Sequence, residues 1–107
     1  MAFDEDLAQR IRELLPDTDE RRMFGGIGFL VAGNMCCGVR GAELLARVGP
    51  EAAATDEPGT RPFEMAGRTS RGWVMVAAEA VAEDADLERW VRRCEAFAAR
   101  LPPKRSG

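Results

Sequence analysis

The sequence predicts an α+β fold, a two-layer sandwich in which helices cover one face of a mainly antiparallel five-stranded sheet. Two amphipathic stretches sit at the ends of the 107-residue chain, and short apolar runs broken by Gly and Pro lie between them. Their order is helix, three strands, short helix, two strands, long helix, with no repeat and no linker long enough to divide it.

The first helix is predicted from about Asp4 to Leu15. Asp4 is its N-cap, Leu7, Ile11, Leu14 and Leu15 share a face, and Pro16 ends it. DTDER (17–21) reads as a polar turn. Met23 to Val31 reads as one strand, Ala32-Gly33-Asn34 as a turn, and Met35 to Val39 as its hairpin partner. Glu43 to Val48 holds helix formers but is too short for an isolated helix, so it is taken as a third strand, with Leu45 and Arg47 on the opposite side from Leu44, Ala46 and Val48. Pro50 opens a short helix to about Thr55 or Asp56, closed by Pro58-Gly59. Strands near Pro62–Met65 and Gly72–Ala78 follow. The last helix runs from about Ala85 to Leu101, with Asp84 as N-cap and Leu87, Trp90, Val91, Cys94, Phe97 or Ala98, and Leu101 along its stripe.

No apolar run approaches the roughly 20 residues of a membrane span, and the N-terminus is acidic where a secretion signal would be basic, so a cytoplasmic, non-membrane protein is expected. The net charge of −3 conceals a segregation. Residues 21–48 and 61–78 together carry seven arginines against Glu43 and Glu64, the tail 102–107 adds Lys104 and Arg105, and the remainder is strongly acidic. Arg22, Arg40, Arg47, Arg61, Arg68 and Arg71 are therefore candidate anion-binding residues for a phosphate, an acidic protein or nucleic acid. The plainer alternative is that these charges only solvate their own faces.

Chemistry-bearing motifs are sparse. Gly25, Gly26 and Gly28 in RMFGGIGFLV lack the lysine and hydroxyl of a phosphate loop and the third glycine of a dinucleotide fingerprint, so they are assigned to a bulge in a bent strand. Three cysteines without any histidine give neither zinc ligation nor an obvious thiolate base, and no metal or cofactor is expected. Cys94 falls on the apolar stripe, and alternation sends Cys36 and Cys37 to opposite faces. Carboxylates fall on helices and loops, where they cap and solvate. Trp73 and Trp90 are both assigned to the core.

RRMFGGIGFLVAGNM, ARVGP, PGTRPFEMAGRTSRGWVMVA and a final amphipathic helix ending in LPPK resemble the N-terminal domain of the TfoX/Sxy family of bacterial competence regulators, over about residues 7 to 104. The most specific part is Met23-Phe24-Gly25-Gly26-x-Gly28. Gly33, Arg47-Val48, Arg61-Pro62-Phe63 and Gly72-Trp73-Val74 support it. The resemblance implies an α+β fold with the element order above and assigns no catalytic role to the signature glycines. Full-length regulators of that family carry a second, C-terminal domain, so a stand-alone N-terminal-like domain is expected here.

The expected function is a non-enzymatic regulatory or protein-interaction module. An anionic-ligand or nucleic-acid binder is the alternative, and a thiol-dependent enzyme ranks last. The strand Trp73–Ala78 is apolar on both sides, which calls for a cover on the sheet's second face. Leu30, Cys36, Leu45, Val74 and Val76 are the candidate interface of a homodimer formed there, beside an unidentified protein partner.

Overall fold

The computed structural model describes residues 3–23, 25–50, 57–65 and 67–103. The predicted short helix after Pro50, the basic tail 104–107 and Phe24 of the signature lie outside the described residues. Helix α1 spans Glu5–Leu14, and Asp4 caps it by accepting from the Asp6 and Leu7 amides. Six strands follow: β1 (Asp19–Met23), β2 (Gly26–Val31), β3 (Asn34–Arg40), β4 (Glu43–Arg47), β5 (Thr60–Met65) and β6 (Arg68–Val76). A 3-10 turn, Ala78–Val81, leads into helix α2, Asp84–Ala99. The N-cap position of α2 is Glu83 rather than Asp84; Asp84 is the first helical residue and accepts from Arg10 of α1, which also donates to the Val81 and Ala82 carbonyls.

The strands form one sheet, ordered β1-β2-β3-β4-β6-β5 and antiparallel at every pairing. The architecture is the predicted α+β sandwich with six strands instead of five. The extra strand is β1, whose polar sequence reads as a turn. It is an edge strand, and an edge tolerates charge on every position because its outer side meets water. Glu20 there pairs with Arg12 of α1, and Arg22 stands 5.2 Å over the Phe3 ring.

Helices α1 and α2 lie on one face. Leu7, Ala8, Ile11 and Leu15 from the first helical segment and Leu87, Trp90, Val91, Cys94 and Ala98 from α2 close on Ile27, Phe29, Val39, Leu44, Ala46, Val74 and Val76. Burial of this size supplies the main stabilisation, at about 1.5–3 kcal/mol for each large apolar side chain.

Register decides which residues reach that core. Phe29 pairs with Cys37 but Leu30 pairs with Met35, so Cys36 has no opposite number. This bulge sends Cys36 and Cys37 both into the helix-side core, where both are fully buried, and corrects the expectation that they lie on opposite faces. Val74 pairs with Ala46 and Val76 with Leu44, which places both valines on the helix side. Cys36, Val74 and Val76 are therefore not interface residues. A Val76→Glu change would bury a charge in the core instead of loosening a dimer.

Candidate interaction face

Among the described residues, no helix lies on the sheet's second face. Leu45, Phe63 and Met75 form a separate small cluster there, with Met35 and Trp73 packed against it, and Leu30 shares the face as the partner of Met35. Trp73 thus leaves the main core and stands half-buried on this side, while Trp90 is 2% exposed in the helix-side core as expected.

The apolar cluster is closed largely by side chains of the same strands. Arg40 reaches from β3 across the strands bearing Leu45 and Met75 to stand 5.6 Å over the Phe63 ring on β5. Arg47 stands 5.2 Å over Trp73, its register partner, and 5.6 Å from Phe97 of α2, and donates to the Met35 carbonyl. Arg61 is fixed by two 2.5 Å hydrogen bonds to the two Glu43 oxygens. That fork-to-fork pairing holds the Glu43 carboxyl below its ordinary range and raises Arg61, hydrogen bonding being the main cause in each. A guanidinium can serve as such a cover because its flat faces are weakly hydrated while its edges donate.

The candidate anion-binding arginines divide accordingly. Arg40, Arg47 and Arg61 share the second face. Arg22 sits on the helix side of β1 over Phe3. Arg68 and Arg71 are exposed on β6 beyond Gly72, whose φ of +87° breaks the alternation there. Missed by sequence reasoning were Phe63 and Met75, which floor the face. Only the register of β6 on β4 reveals Met75, and Phe63 reaches the floor through an irregularity between Pro62 and Glu64.

The signature glycines serve geometry, but not as the expected bulge in a single strand. Gly25, with φ +73°, occupies the tight turn from β1 to β2, where Met23 pairs with Gly26. A side chain on Gly26 would overlap the Val39 carbonyl oxygen. Gly28 pairs with Gly38, and a Cβ on Gly38 would come within 3.4 Å of the Gly28 Cα. The two backbones approach too closely for side chains between them.

The family model of the TfoX N-terminal domain matches residues 10–98. The chain belongs to the TfoX N-terminal domain family. No curated protein and no solved structure matches it. The match runs from Arg10 within α1 through all six strands to Ala98 of α2.

Cys36, Cys37 and Cys94 are unpaired and buried. Its hydrogen bond with Cys36, then burial, push the Cys37 thiol well up, and burial pushes Cys94 up strongly. Both stay protonated at neutral pH. No helix among the described residues is long and apolar enough to cross a membrane.

Proposed function

We propose that the protein is a non-enzymatic regulatory module of the competence-regulator type, which works by holding an acidic protein partner against the open face of its sheet. One observation carries the reading. Among the described residues, Arg10, Arg12, Arg89, Arg92 and Arg93 of the helix layer all have carboxylate partners, whereas on the strands only Arg61 does. Among the described residues, the cations within the two helices are neutralised inside the molecule, and those of the strands other than Arg61 are free of carboxylates and available to something outside it. Met35 and Trp73, half-buried beside Arg47, add apolar contact for such a partner. Aromatic and arginine side chains together are the usual makings of a binding hot spot. Burial of all three thiols also weighs against thiol chemistry.

Capture from extracts of the native host with charge-reversed baits tests this. A specific partner retained by the unmodified protein and by Arg100→Glu, at the end of α2, is lost with Arg40→Glu. Equal retention by all three baits contradicts the proposal. Nucleic acid is the second reading, since the same arginines could meet phosphates. DNA mobility at two salt concentrations separates the two, because phosphate binding weakens steeply with salt. A homodimer through this face ranks below an acidic partner: it would seal Met35 and Trp73 but bring two arginine-bearing faces together. Sedimentation of the protein at tens of micromolar as a monomer removes it.

A further inference from the structure

At the turn end of the same face lies a groove of about 680 Å³, lined by Gly25, Arg40, Gly41, Glu43, Arg61, Pro62, Phe63, Glu64 and Met75. That volume is in the range of small-molecule sites. Its floor is apolar, from Phe63 and Met75. Of its four charged residues, Arg61 and Glu43 neutralise each other. Arg40, its guanidinium over the Phe63 ring, and Glu64 have no ion-pair partner among the described residues, so the groove presents one unpaired cation and one unpaired anion beside an apolar floor. Gly25 and Gly41 edge it with positive φ and nothing within 4 Å of where a side chain would stand, so its mouth stays low.

We propose that this groove binds a free α-amino acid with a large apolar side chain. The carboxylate lies on Arg40, the ammonium on Glu64, and the side chain on Phe63 and Met75. A simple anion would meet Glu64 with like charge, and a simple cation would meet Arg40 so. A zwitterion satisfies both, and its apolar group displaces water from the floor. The inference concerns the protein alone and does not depend on a protein partner.

Isothermal titration of the full chain with L-phenylalanine tests it, with 3-phenylpropionate and phenethylamine as probes lacking the ammonium or the carboxylate. L-phenylalanine is expected to bind saturably, and each probe about tenfold more weakly or worse, the loss of one charged hydrogen-bonded group. Glu64→Gln should erase the preference over 3-phenylpropionate, and Arg40→Gln the preference over phenethylamine. Circular dichroism confirms that each variant is folded, and Glu64→Gln leaves the Arg40–Phe63 stack intact should Arg40→Gln unfold. No saturable heat up to about 10 mM, equal binding of either probe, or an unchanged preference in folded Glu64→Gln overturns the proposal.

Discussion

A methyl group on Gly26 would strike the Val39 carbonyl oxygen, whereas one on Gly25 would meet open space at a φ of +73°. The two neighbouring glycines are thus required for different reasons, and substitution separates them. Gly26→Ala is expected to cost about 1–3 kcal/mol, since backbone must shift to admit it. Gly25→Ala should cost about 1–2 kcal/mol from the left-handed conformation alone, and Gly25→Asn less, because asparagine tolerates that region. Denaturant midpoints at constant slope give the order; a Gly26→Ala variant as stable as Gly25→Asn would contradict the close approach. The sequence made glycine necessary here but could not say why, because turn and close approach share one composition. At the cysteines the difference was a single unpaired residue. Alternation divides Cys36 from Cys37, and only the bulge opposite Phe29 and Leu30 brings both inside. All three thiols should therefore resist a neutral-pH thiol reagent in the native state and react together on unfolding. Rapid native labelling of any one would contradict the packing.

On the element scale, the legible parts were those with strong periodicity. The first helix and its Asp4 cap follow from the apolar spacing and Pro16, and the last helix follows from its stripe. Strand β1 was illegible because an edge strand need not alternate, and DERR carries no apolar signal. The face assignment of β6 was illegible for another reason: Trp73–Val76 is apolar on both sides, so only pairing to β4 fixes which set meets the helices. Two contacts between elements can be tested. Arg47→Ala removes the guanidinium from between Trp73 and Phe97 and should destabilise the fold by about 1–2 kcal/mol. An unchanged melting temperature would show that Arg47 does not tie α2 to the sheet. The Glu43–Arg61 pair joins β4 to β5 and depresses the Glu43 carboxyl. Its stabilisation should be full above the ordinary value near 4.5 and vanish as pH falls through the depressed folded value. The unmodified protein should therefore exceed Glu43→Gln in stability at neutral pH, by less than about 1 kcal/mol because Arg61 is more than half exposed, and the gap should close in acid. A gap that persists at pH 3 would contradict the assignment.

For the whole molecule, charge and burial divide along the same plane. The helix layer is acidic and the arginines within α1 and α2 are paired, while the sheet holds exposed arginines at Arg21 and Arg40 with no carboxylate partner among the described residues. That segregation was visible as counts along the chain. Its consequence was not, since counts cannot show that Arg40 and Arg47 lie over aromatic rings on the face away from α1 and α2. The two tryptophans stand on opposite sides of this plane, Trp73 half-exposed on the sheet face and Trp90 buried under α2. Their two indole N–H signals in a ¹⁵N-edited spectrum therefore report separately on the two layers when a captured partner is added. The Trp73 signal should move on binding and return at high salt while the Trp90 signal stays in place. Movement of Trp90 with Trp73 unchanged would put the partner on the helix layer and contradict it.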